Sequence, residues 1–242
     1  MNVLILAAGA AAMEPLDGEY PLMLTEIDGV TLIERVIRSV EPIIDGRLIV
    51  ALRRSEMLHF HLGEVVTILR SDAKVVPVSD AVRGAACTSL LAAEHLDGES
   101  ELLVVNANQL LDINLGEVVS DFRKRGLDAG LVTFQSVHPR YSYVRVEDDG
   151  LVSEAAEKRP ISKFASAGVY WFADGRRFLA GIRNTIRKDV HVGGSFYVTP
   201  VLNELILDQA RVGVWCVEGG KYLPIKSERQ LQHTESHYEH GI

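Results

Sequence analysis

Apolar residues along this chain fall into short continuous runs, separated by stretches where they recur every three or four positions. The runs NVLILA (2–7), RLIVAL (47–52), KVVPV (74–78), ELLVVN (101–106) and AGLVTF (129–134) are rich in Val, Ile and Leu. Their length and near-continuous apolarity predict strands buried on both faces, as in a parallel sheet. Between them the spacing turns helical. TLIERVIRSVEPII (31–44) puts Leu32, Ile33, Val36, Ile37 and Val40 on one stripe, and GAACTSLLAAEHL (84–96) puts Ala86, Leu90 and Ala93 on another. Strand, helix and strand in repetition predict an α/β fold with right-handed crossovers.

The second half changes character. YSYVRVEDDGLVSEAAEK alternates around Asp149-Gly150, a dipeptide that supplies the positive φ angles of a tight hairpin, so an antiparallel ribbon is expected there. A strand at GVYWF (168–172), helices near 176–187 and 198–209, and a strand at VGVWCV (212–217) follow. No repeat or linker divides the chain, so residues 1–242 are expected to form a single domain, with 231–242 a loose polar tail.

Composition narrows the partners. With 47% hydrophobic and 24% charged residues the chain has the balance of a globular protein with a substantial core. Its net charge of −8 opposes a nucleic-acid partner, and the basic cluster Arg123, Lys124 and Arg125 reads as the C-terminal end of an amphipathic helix, where cations complement the helix dipole. Cys87 and Cys216 have no metal or disulfide spacing and read as small buried apolar residues. No apolar run approaches the roughly 20 residues of a membrane span, and the expectation is a cytoplasmic protein without a membrane partner. His59 and His61, with His233, His237 and His240, read as solvated rather than metal-ligating. A G-x-S-x-G elbow and a G-x-G-x-x-G loop are both absent, which argues against a serine hydrolase and a nicotinamide dehydrogenase.

In open parallel sheets ligands sit at the carboxyl ends of the strands, here the loops after residues 7, 78, 106 and 134. The loops resemble those of the sugar-1-phosphate nucleotidylyltransferases, which join a nucleoside triphosphate to a sugar phosphate and release pyrophosphate. The family's L-A-A-G-x-G-x-R loop is matched by Leu6-Ala7-Ala8-Gly9-Ala10-Ala11-Ala12-Met13, its P-K-P-L by Pro21-Leu22-Met23-Leu24, and its G-x-P-L-I by Gly29-Val30-Thr31-Leu32-Ile33. Arg83-Gly84-Ala85-Ala86 resembles its glycine-led helix start beside the base, although Gly84 reads equally well as a plain helix entry. Asn106-Ala107-Asn108-Gln109 lies where N-x-D-Q is usual. Glu157-Lys158 and then Gly168-Val169-Tyr170 match the E-K pair and G-x-Y strand that line the sugar-phosphate pocket.

The resemblance implies a three-layer α/β/α fold around a mostly parallel mixed sheet with an added antiparallel ribbon. It implies nucleotide contacts from Leu6, Ala8, Gly9, Ala10, Arg83 and Gly84, and sugar-phosphate contacts from Asn106, Glu157, Lys158, Gly168 and Tyr170. It also implies Mg²⁺ as cofactor, a nucleoside triphosphate and a sugar phosphate as ligands, and a homo-oligomer. The departures cluster at the triphosphate. Met13 and Leu22 stand at the family's Arg and Lys positions, Ala11 at its second glycine, Asn108 at its metal-binding Asp, and Lys226 and Gln230 replace the Gly and Asp of I-G-T-P-E-D-L. Charged stabilisers at such a centre are worth about 3 kcal/mol each, so losing three costs on the order of 10⁶ in rate if additive. Two readings follow: a working transferase in polysaccharide precursor synthesis that draws charge from Arg53, Arg54, Arg83 or Lys226, or an inactive relative that keeps a sugar-phosphate pocket or serves as a partner subunit.

Overall fold

The computed structural model describes residues 1–9, 20–96 and 99–225. The first half lays down β1 (Asn2–Leu6), the short pair β2 (Glu26–Ile27) and β3 (Val30–Thr31), α1 (Leu32–Val40), β4 (Leu48–Arg53), α2 (Arg54–Phe60), α3 (Leu62–Leu69), β5 (Lys74–Val78), α4 (Ala85–Leu91) and β6 (Leu102–Asn106). The second adds β7 (Gln109–Leu111), α5 (Leu115–Lys124), β8 (Ala129–Gln135), β9 (Tyr143–Val146), β10 (Val152–Ala156), β11 (Phe164–Phe172), α6 (Gly175–Arg187), α7 (Val201–Leu207), β12 (Val212–Cys216) and β13 (Tyr222–Pro224).

The main sheet runs β5-β4-β1-β6-β11-β8-β12, and β11 alone opposes the other six. The β9–β10 hairpin attaches to the first residues of β11, pairing Phe164 with Val144 and Ala165 with Tyr143. This is the expected α/β/α sandwich of mixed sheet and added ribbon. Successive strand residues point to opposite faces, and both faces of the central strands are apolar. Val3 and Ile5 join Val50, Leu52 and the α1, α3 and α5 side chains in one core, while Leu4, Ile49 and Ala51 join α4, α6, α7 and the hairpin in the other.

Helix ends follow local chemistry. α1 buries the five residues of its predicted stripe and gives way before Pro42 to a single tighter turn, since proline lacks the N–H that would continue it. Asn114 caps α5 by accepting from Gly116 N at 2.9 Å, and Asp174 caps α6 by accepting from Arg176 N at 2.8 Å. The basic cluster does end α5, with Arg123 paired to Glu101 and Arg125 to Asp121. Two expectations need correction. Cys216 is exposed and Cys87 half-buried, so neither is a core residue. The strand expected to begin at Gly168 begins at Phe164, because Phe164, Ala165 and Ser166 before the glycine also pair with β8.

Candidate functional site

The carboxyl ends of β1, β4, β5 and β6 converge on one edge of the sheet. Leu6 pairs with Asn106, and Ala107 N donates to Leu6 O at 3.1 Å, so the turn after β6 lies directly against the turn after β1. Ala8 is buried and Gly9 exposed beside it. Ala10, Ala11, Met13, Lys226 and Gln230 lie outside the described residues, as does the expected loose tail. Leu22 sits in a short turn after Pro21 and packs, partly buried, against the apolar core.

A cation does reach this edge from β4. The Arg53 guanidinium donates to Gly9 O at 2.9 Å and pairs with Asp80 at 3.4 Å, while Ser55 donates to the same Asp80 oxygen at 2.7 Å. Glu56 lies in this cluster with one carboxylate oxygen buried and unpartnered. Burial pushes its pKa up to about 7, against the opposing pull of Arg53.

Beyond β6 the backbone of β11 bulges. Ser166 pairs with Thr133 but Tyr170 with Leu131, so β11 spends two more residues than β8, with Gly168 in the bulge at φ +71°. A Cβ on Gly168 would stand 2.7 Å from Asn106 Nδ2 and 2.8 Å from Gln109 Oε1. Only glycine admits both the backbone angle and the two carboxamides. Asn108 next to them is exposed, with its carbonyl fixed by Ile225 N at 2.9 Å. Gln109 is 6% exposed, and its Nε2 has no hydrogen-bond partner. Across from it in the β7–β13 ladder stands Pro224.

The bulge links these amides to the sugar-phosphate residues expected from sequence. Ser166 N donates to Ser142 O at 2.8 Å, and the Ser142 hydroxyl donates to the Glu157 carboxylate. Burial holds the Glu157 carboxyl above its ordinary range, offset in part by the Ser142 hydrogen bond and by Lys158. Lys158 takes a left-handed backbone at φ +53°, donates to the Tyr197 hydroxyl at 2.8 Å and lies 4.9 Å from that ring's centre. A cleft of about 330 Å³ opens beside Glu157, lined also by Arg159, His191, Tyr197 and Asn203.

Three of the expected contact residues already have partners within the protein. Tyr170 is buried, and its hydroxyl is spent on Ser166 Oγ at 2.8 Å and Thr199 Oγ1 at 2.7 Å, with burial pushing its pKa up to about 12. Arg83 and Gly84 are tied to the 194–196 segment: Arg83 Nε donates to Gly194 O at 2.9 Å, and a Cβ on Gly84 would lie 2.4 Å from Phe196 O. The backbone freedom of Gly84 therefore serves a close packing contact. Ser142, Tyr197 and Gln109 were not singled out by sequence. Ser142 had a readable signal, since it lies opposite Glu157 when the hairpin is counted outward from Asp149-Gly150.

Residues 3–183 match the family model described as nucleotidyl transferase. The chain belongs to the nucleotidyl transferase family. Solved structures share the fold at low identity. A nucleoside-diphosphate-sugar pyrophosphorylase from Vibrio cholerae superposes with a TM-score of 0.78 at 20% identity, covering 96% of this chain and 98% of its own. The inositol-1-phosphate CTP transferase from T. maritima gives 0.73 at 16%, covering 100% and 97%. A UDP-glucose pyrophosphorylase complexed with UDP-glucose gives 0.74 at 16%, covering 98% of each chain. No curated protein matches the chain.

As a nucleotidyl transferase the chain is expected to use Mg²⁺, which proteins bind through carboxylates. Among the described residues, the side chains at the expected position, Asn106, Asn108 and Gln109, are neutral. Asp112 lies past the far end of β7, its N–H donating to Lys221 O at 2.9 Å. No three His, Cys, Asp or Glu side chains converge among the described residues. Among the described residues, this donor set does not fit Mg²⁺.

Proposed function

We propose that this nucleotidyl transferase relative binds a phosphorylated sugar in the cleft beside Glu157 and Lys158 and does not carry out Mg²⁺-dependent nucleotidyl transfer. The observation that carries the reading is the contrast within one site. The Glu157–Ser142 and Lys158–Tyr197 pairs are assembled, whereas the end of β6 presents amides where transfer needs a carboxylate. Glu157 is placed to accept from sugar hydroxyls, and Lys158 supplies a cation for the phosphate. The cleft volume suits a hexose phosphate. In this reading the protein serves polysaccharide precursor synthesis as a sugar-phosphate-binding or partner subunit.

A working transferase has one observation in its favour: Arg53 brings a guanidinium to the Gly9 carbonyl, at the loop whose own Arg and Lys positions are Met13 and Leu22. Asp80 already offsets that charge.

Calorimetry with a panel of sugar 1-phosphates tests binding. Wild type is expected to bind at least one of them, and Lys158→Ala to bind it about tenfold more weakly, the loss of one charge-assisted hydrogen bond. Equal affinity in the two proteins would remove Lys158 from the site.

A further inference from the structure

The misfit between the expected cation and the residues present has a positive side. Three carboxamides, Asn106, Asn108 and Gln109, crowd one turn at the carboxyl end of β6, and none of them carries charge. Asn106 and Gln109 both press on the Gly168 bulge, from 2.7 to 2.9 Å of the point where a Cβ would stand, so a glycine is what lets the two amides meet there. Gln109 is more than nine-tenths buried, yet its Nε2 donor lacks an acceptor. Asn108, exposed at the tip, is held by the Ile225 N to Asn108 O bond, which fixes its backbone while leaving the side chain at the surface. Across the ladder Pro224 brings neither charge nor an N–H. The turn therefore places neutral amides, each able to donate an N–H, at the end of β6 beside the turn after β1.

We infer that Asn106 and Asn108 bind a phosphate oxygen of the ligand directly, with no divalent cation between ligand and protein. A carboxylate at position 108 would repel phosphate unless a cation stood between them, whereas an amide donates to the oxygen itself. Gln109 acts as a positioning residue, packing behind Asn106 against Gly168. This inference rests on the sugar-phosphate reading for its ligand, but the amide cradle makes a claim of its own about anions.

The test is calorimetry on the full chain with a sugar 1-phosphate panel and, separately, inorganic pyrophosphate, each in EDTA and in excess Mg²⁺. Wild type should bind with affinities that agree within about twofold in the two buffers. Asn108→Ala should bind about tenfold more weakly in both, while its melting temperature, set by a core this exposed side chain does not enter, stays with wild type. Asn108→Asp should lose binding in EDTA and regain it with Mg²⁺, and should take up Mn²⁺ detectable by electron paramagnetic resonance where wild type does not. Wild-type binding abolished by EDTA, or Asn108→Ala binding like wild type, overturns the cradle and leaves the sugar-phosphate reading standing. Pyrophosphate binding in EDTA that Asn108→Ala weakens, with no response to any sugar phosphate, keeps the cradle and overturns that reading. No binding of any of these anions overturns both.

Discussion

Glu56 shows how a single residue can carry a pH response that its position in the sequence does not advertise. Its carboxyl is raised to about 7 because burial disfavours the charged form more than Arg53 favours it. The folded protein then binds more protons than the unfolded chain between the ordinary value of 4.5 and about 7. Stability from this group is therefore fully present below that window and is lost as pH rises through it. Urea unfolding of wild type and Glu56→Gln from about pH 5 to about pH 7.5 should show the variant gaining on wild type as pH rises. A difference that stays flat with pH would contradict the assignment. Nothing local in RRSEMLHF signals this environment, since Asp80 arrives from the loop after β5 and Arg53 is turned toward Gly9. By contrast Glu157 and Lys158 were singled out in the sequence, because a motif of adjacent residues survives being read along the chain. Tyr170 shows the limit of such reading: its motif placed it correctly on β11, but which face the ring takes depends on the bulge before it.

At the scale of elements, the strands and helices of the first half were readable because each buries a continuous or periodic apolar set. β4, with Leu48, Val50 and Leu52 on one side and Ile49 and Ala51 on the other, is the clearest case. The β9–β10 hairpin was equally plain from its Asp-Gly turn. The bulge in β11 was not. Phe164-Ala165-Ser166-Ala167 carries little apolar signal of its own, and the extra residues are absorbed where the strand changes neighbour from β9 to β6. The bulge is also where the site is joined, so it should be costly to disturb. Gly168→Ala adds a methyl to a left-handed position already occupied by Asn106 and Gln109, and it should destabilise the fold by about 1–3 kcal/mol in urea unfolding. A variant as stable as wild type would mean that the two carboxamides do not pack there.

At the scale of the whole molecule, alternating strands and helices were enough for the α/β layers but not for the order of the sheet. β11 enters antiparallel between β6 and β8, a pairing set by contacts distant in sequence, which local periodicity does not record. Once formed, that order gathers Gly9, Asn106, Asn108 and the Gly168 bulge at one edge, and the hairpin brings Glu157 and Lys158 to them through Ser142 and Ser166. Among the described residues, neutral amides stand at the end of β6 in this cluster. Under the proposed function the protein binds a phosphorylated sugar and transfers no nucleotide to it. Pyrophosphate release by purified protein with Mg²⁺ is measured over each common nucleoside triphosphate and a panel of sugar 1-phosphates. Release at the rate of the protein-free control throughout is the predicted result, and turnover that disappears in Glu157→Ala would contradict it.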